Sequence, residues 1–190
     1  MRSFVAVEIN DQRILDRIIQ VQQRLLMTGG DLRVVQPQNI HVTIRFLGEI
    51  PASLVDEVRN IMSRVSFKPF HVKLEGVGVF PNERRPNVLW IGITEGVREL
   101  REIHSQLESG FRAIGLSPDN KGFSPHITVA RVRSRKNQES LSGLVLEMNA
   151  TEIGAIDVTE FVLKRSVLTP QGPIYSRILA KAANGTSGMP

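Results

Sequence analysis

The sequence contains no cysteine, which removes disulfides, thiolate nucleophiles and cysteine-bound zinc or iron–sulfur centres together. Histidine is scarce too. There are four in 190 residues, none in a paired ligand spacing such as H-E-x-x-H, so neither a metal site nor a cofactor is expected. No apolar run approaches the roughly 18 residues that a bilayer-spanning helix needs. The opening MRSFVAVEIN lacks the basic region, apolar core and small-residue cleavage site of a signal peptide. A cytoplasmic protein without membrane association is expected, acting as a monomer.

What is present is ordinary in bulk and informative in detail. The hydrophobic share of 41% and charged share of 23% suit a globular domain. The length allows one core, or two lobes sharing one. A net charge of +5 and a pI near 10.1 favour an anionic partner, either nucleic acid or a nucleotide.

Periodicity predicts a strand over 2–9, then a helix to about residue 27 capped by Asn10 or Asp11 and stopped by Gly29 and Gly30. A short strand at 32–35 and a strong one at 40–47 follow. Helical spacing returns over 51–65, strands over 70–80 and 88–93, and a helix over 97–114 that Gly115 ends. The second half reads as a strand at 126–132, a helix near 138–148, and strands over 153–168 and 174–182. One two-lobed domain is expected over 1–183, with a frayed, small and polar tail over 184–190.

The two halves repeat an order: a strand with His-x-Thr, a helix, then a pair of strands. Phe70 follows His41 by 29 residues, and Ile153 follows His126 by 27. This suggests an internal duplication. The expected class is α+β, with two pseudo-twofold lobes. Each lobe is an antiparallel sheet with outer helices, and each presents its His-x-Thr strand to a central cleft.

Strand alternation puts Ile40, Val42, Ile44 and Phe46 on one buried face and His41, Thr43 and Arg45 on the other. In the second copy Ile127 and Val129 oppose His126 and Thr128. Two facing imidazoles suit phosphodiester cleavage without a metal, one taking a proton from the attacking oxygen and the other giving one to the leaving oxygen. An unperturbed pKa of about 6.5 makes both forms available near neutrality. The short threonine hydroxyls are fixed donors for phosphate oxygens.

His41-Val42-Thr43 with Phe46-Leu47-Gly48, and Pro125-His126-Ile127-Thr128 with Ala130-Arg131, resemble the signatures of the two-histidine phosphoesterase superfamily. Within it the chain most resembles the bacterial and archaeal RNA 2′,3′-cyclic phosphodiesterases, also called 2′–5′ RNA ligases. Arg2 to Val7 is similar to the first strand of that group, and the resemblance runs to about Ala182. It implies the two-lobed fold, hydrolysis of RNA 2′,3′-cyclic phosphate ends to 2′-phosphates, and weak reversible 2′–5′ joining of RNA ends. It also implies His41 as the acid toward O3′, His126 as the base, and Arg131 as a substrate clamp.

Strict alternation puts Arg131 on the wrong face, so it reaches the cleft only if its strand bulges or ends there. Arg45 has the right parity. The run Arg131, Arg133, Arg135 and Lys136, and the pair Arg84 and Arg85, are either an RNA track or solvated loops. Phe80 and Tyr175 are candidates to stack a terminal base, whereas Phe46 and Trp90 read better as core. His71 and His104 lack a partner motif and read as structural or surface residues. Two competing functions remain open: cyclic phosphodiester hydrolysis on a small nucleotide such as ADP-ribose cyclic phosphate, and a non-catalytic RNA-binding module. Two intact histidines disfavour the module.

Overall fold

In the computed structural model of the protein, residues 1–119, 122–170 and 172–185 are described. Along them run β1 (Arg2–Glu8), α1 (Gln12–Met27), β2 (Leu32–Val34), β3 (His41–Glu49), α2 (Val55–Arg64), β4 (Phe70–Phe80) and β5 (Val88–Glu95). They are followed by α3 (Val97–Ala113), β6 (His126–Val132), α4 (Gln138–Glu147), β7 (Glu152–Val158), β8 (Glu160–Thr169) and β9 (Gly172–Ala182). Asp11 caps α1, its carboxylate accepting from the Arg13 amide at 2.9 Å, which satisfies one of the unpaired first-turn donors. Gly29, at φ 70°, turns the chain out of the helix.

Among the described residues nine strands hydrogen-bond into one antiparallel sheet, in the order β7-β4-β5-β6-β3-β1-β8-β9, with β2 also alongside β6. At the centre β3 and β6 share one pairing, Val42 with Ile127. On one side of that seam lie β6, β5, β4 and β7, backed by α1 against β6 and β7 and by α4 against β4. On the other lie β3, β1, β8 and β9, backed by α3 against β3 and by α2 against α3 and β9. The helices bury their apolar stripes on the sheet, Ile14, Ile18, Val21 and Leu25 from α1 and Leu100, Ile103, Leu107 and Phe111 from α3. Fully burying each such side chain contributes about 1.5–3 kcal/mol.

The lobes are not consecutive stretches of chain. β4 and β5 follow the His41 strand in sequence but build the lobe of His126, while β8 crosses to pair with β1. For the same reason the single strand expected over 153–168 is two strands. β7 pairs with β4 and β8 with β1, and these partners stand in opposite lobes, so the ladder breaks at Thr159. The tail expectation is narrowed at its start. Asn184 is held by its amide to the Phe67 carbonyl at 2.8 Å and by its side chain to Ser66 at 2.7 Å. Residues 186–190 lie outside the described residues.

Candidate active site

The seam between the lobes carries both motifs. Val42 and Ile127 face each other there and are buried. Side chains alternate along a strand, so His41 and Thr43 on one side and His126 and Thr128 on the other all turn to the opposite face. All four are partly buried, and they share one cleft about the pseudo-twofold axis. The structure thus brings together the four residues that the sequence pairs.

Beyond the threonines strict alternation fails, in the same way twice. Opposite Ala6 and Val5 of β1, the register of β3 steps from Thr43 to Arg45. Opposite Trp90 and Leu89 of β5, the register of β6 steps from Thr128 to Ala130. Each step is a bulge of one residue, Ile44 or Val129, and one extra residue exchanges the faces of everything after it. The fourth residue after each histidine therefore turns inward and the fifth turns to the cleft.

Two sequence expectations change as a result. Arg45 does not reach the cleft. It is 6% exposed, pairs with Glu108 of α3 at 2.6 Å, and donates to the carbonyls of Phe46 and Ser117. Phe46, expected in the core, is 61% exposed on the cleft side. Arg131, by contrast, arrives on the cleft face because its strand bulges, and it is exposed there. Trp90, paired with Thr128, also belongs to the cleft face and packs over Gly78, where a Cβ would sit 2.3 Å from its ring.

Both imidazoles are oriented by a carbonyl two residues upstream. His41 Nδ1 lies 2.7 Å from the Asn39 oxygen, and His126 Nδ1 lies 2.7 Å from the Ser124 oxygen. A carbonyl only accepts, so each Nδ1 carries a proton and each Nε2 is left for the cleft. His41 Nε2 stands 3.0 Å from the Thr43 hydroxyl, which in the neutral ring donates to it. Aromatic rings wall both sides. Phe4 and Tyr175 lie 4.9 and 5.5 Å from His41, and Phe80 and Trp90 lie 4.9 and 6.4 Å from His126. Phe4 was not singled out from the sequence, because a phenylalanine in a β-strand carries no signal beyond core packing.

Burial among these rings pushes the pKa of His41 down to about 4. The Asn39 carbonyl opposes that shift, the Lys164 charge adds to it, and the Glu8 carboxylate opposes it. Lys164 and Glu8 form an ion pair on the cleft floor, with the Lys164 Nζ 6.0 Å from the Tyr175 ring centre. Nothing in the spacing of residues 8 and 164 marks this pair; β1–β8 adjacency creates it.

His71 is exposed and paired with Asp157, and His104 stacks on Phe123 at 4.6 Å, so neither joins the cleft. Arg84, Arg85, Arg133, Arg135 and Lys136 are exposed. Among the described residues no group of three or more His, Asp or Glu side chains converges as a metal cage, and no helix is long and apolar enough to cross a membrane.

A family model described as LigT-like phosphoesterase matches the chain twice, over 7–90 and 91–175, one copy to each half. The chain is 35% identical to an RNA 2′,3′-cyclic phosphodiesterase of Aeropyrum pernix, over 90% of this chain and 98% of that one. It is 38% identical to a protein of the same description from Archaeoglobus fulgidus, over 92% and 96%. The crystal structure of Escherichia coli LigT complexed with 3′-AMP superposes with a TM-score of 0.79 at 25% identity, over 96% of this chain and 98% of that one.

Proposed function

The chain belongs to the LigT-like phosphoesterase family, and from that premise we propose that it hydrolyses RNA 2′,3′-cyclic phosphate ends to 2′-phosphates by proton transfer between His126, water, O3′ and His41. The observation that carries this reading is the pair of His-x-Thr faces meeting across the Val42–Ile127 seam. The relatives named for that activity support the substrate.

Water attacks phosphorus from the His126 side, and His126 Nε2 takes its proton. The P–O3′ bond breaks, His41 Nε2 gives its proton to O3′, and the 2′ ester survives. Thr43 and Thr128 donate to the non-bridging oxygens, where negative charge grows in the transition state. A 5′-hydroxyl in place of water would give a 2′–5′ linkage instead.

An acid must start protonated, and before substrate binds burial keeps His41 neutral near pH 7. The phosphate anion supplies the missing counter-charge, so His41 takes up its proton with the substrate. Protonation of Nε2 also reverses the bond to Thr43, and the freed hydroxyl hydrogen turns to the phosphate. Phe46 offers an exposed apolar shelf for the terminal base, and Arg131 a cation at the opposite end of the cleft.

The test is turnover of a short RNA with a 2′,3′-cyclic phosphate end, in excess EDTA, with the product assigned as 2′- or 3′-phosphate. A 2′-phosphate formed without added metal is expected. On a substrate with sulfur at O3′, a leaving group that needs no acid, His41→Ala should be largely rescued and His126→Ala should not. Rescue of His126→Ala alone would reverse the two roles.

A further inference from the structure

β2 enters the sheet in an uncommon way. Beyond the Val42–Ile127 pair, where β3 begins, β2 takes over along β6, so that Leu32, Arg33 and Val34 pair with Val132, Arg131 and Ala130. The next thing along the cleft floor beyond His41 and Thr128 is therefore a directly opposed pair of arginines, Arg33 and Arg131. Directly paired residues share a face of the sheet, so Arg33 follows Arg131 onto the cleft side.

Like charges directly opposite across two strands are destabilising. Both side chains are exposed, and among the described residues neither guanidinium has an ion-pair partner. The Arg33 guanidinium also reaches across to β9. Its Nη2 lies 2.9 Å from where a Cβ on Gly172 would sit. Tyr175, three residues further along β9, stands 5.5 Å from the His41 ring and feels the Arg131 charge. The two cations, from β2 and β6, thus stand together at the His41 end of the cleft, and the repulsion between them is relieved when an anion lies between them.

We propose that Arg33 and Arg131 form a second anion site, which holds the phosphodiester one nucleotide upstream of the cyclic end. This rests on the reading of the cleft as a cyclic-phosphate site and adds a preference for RNA ends over isolated cyclic nucleotides. A 2′,3′-cyclic nucleoside has no upstream phosphate and leaves the pair empty; the shortest substrate that fills it is a dinucleotide. Arginine suits the position because its planar fork can hold two phosphate oxygens at once.

The experiment compares wild type with Arg33→Gln on two substrates, a nucleoside 2′,3′-cyclic phosphate and a dinucleotide ending in one. The ratio of kcat/KM, dinucleotide over nucleoside, should fall roughly tenfold in the variant, mostly through KM. Arg33→Lys should recover part of it. Replacing the upstream phosphodiester with an uncharged methylphosphonate should bring wild type down to the variant and make the two indistinguishable. The slope of log affinity against log salt for the dinucleotide should lessen by about one on losing Arg33.

Equal losses on both substrates, or none on either, overturn the proposal. Should wild type turn over neither substrate, the functional reading fails and the arginine site is judged by binding alone. A dinucleotide 2′-phosphate should then bind Arg33→Gln roughly tenfold more weakly than wild type, while nucleoside 2′-phosphate shows no such difference. Unchanged dinucleotide affinity sinks the site.

Discussion

The half-sites around His41 and His126 share a backbone plan and differ in what surrounds it. In both, a carbonyl two residues upstream holds Nδ1 at 2.7 Å, a threonine follows at the second position, and a bulge follows the threonine. In both, the helix behind the strand braces the bulge with a polar side chain. Gln22 of α1 donates to the carbonyls of Val129 and Val35 at 2.9 and 2.8 Å. Glu108 of α3 instead accepts from Arg45 and Arg112 at 2.6 and 2.8 Å. On the cleft side the fifth residue is Phe46 in one copy and Arg131 in the other. The common plan sets the orientation of the two imidazoles. The differences give a nearly symmetric cleft a direction, with an apolar end and a cationic end.

The strongest test of that likeness is removal of each histidine. His41→Ala and His126→Ala should each lower kcat/KM by about 10² to 10⁴ with unchanged circular dichroism. The double variant should be little worse than either single, because the pair acts as a unit. Fully multiplicative losses would break the idea of one coupled pair.

The braces should differ in size. Arg45→Met leaves a buried carboxylate without its main partner and should cost about 3–5 kcal/mol in urea unfolding. Gln22→Leu removes two hydrogen bonds, but the Val129 carbonyl keeps the Val35 amide, so the cost should be about 0.5–1.5 kcal/mol. The ionic brace is also pH-sensitive. Burial pushes Glu108 up, but the hydrogen bonds from Arg45 and Arg112 and from the Asp119 amide outweigh it and hold the pKa at about 2. Its contribution is therefore present above the ordinary carboxylate value of 4.5 and lost as pH falls toward 2. An Arg45→Met cost that does not shrink over that window would refute the assignment.

On the cleft face the fifth-position residues separate by salt. Arg131→Gln should raise KM roughly tenfold and reduce the salt slope by about one. Phe46→Ala should weaken binding without changing the slope, since stacking carries no counterion release.

The smallest effect concerns the surroundings of His41. One limb of the kcat/KM profile should lie near pH 4, where free-enzyme His41 titrates, and move upward in kcat as the bound anion favours the charged ring. The groups facing that ring are Asn39, Glu8, Lys164, Tyr175 and His126. Lys164→Gln should move the limb up and Glu8→Gln should move it down, each by less than about a unit. Shifts of the same sign in both variants would rule out an electrostatic origin.

Much of this was legible in the chain. The paired His-x-Thr strands, the duplication, the α1 cap at Asp11 and the stops at Gly29 and Gly115 follow from local chemistry, and the structure bears them out. What failed was parity beyond the threonines. Ile44-Arg45-Phe46 reads as clean alternation, and only the helix behind it, with Glu108 in reach, makes an inward arginine and an outward phenylalanine the better arrangement. The Ala130-Arg131 step carried a weak warning, because alternation there would have placed a small apolar residue in the cleft and a cation in the core. The interleaving of the lobes was hidden for another reason. Strand order is decided by long-range pairing, and local periodicity is silent about it.

That interleaving bears on how such a chain can have arisen. The two copies of the family pattern meet at residues 90 and 91, inside β5, yet α1 of the first copy backs β6 and β7 of the second. In return α3 of the second backs β3 of the first. A half-length polypeptide would lack β6 and β7, the strands against which α1 mainly packs. Its folded form would be a homodimer with exchanged helices, each copy lending one histidine to a shared cleft. Fusion of two such genes would join the partners permanently. It would also free the fifth positions to diverge, one to phenylalanine and the other to arginine, which identical subunits could never do.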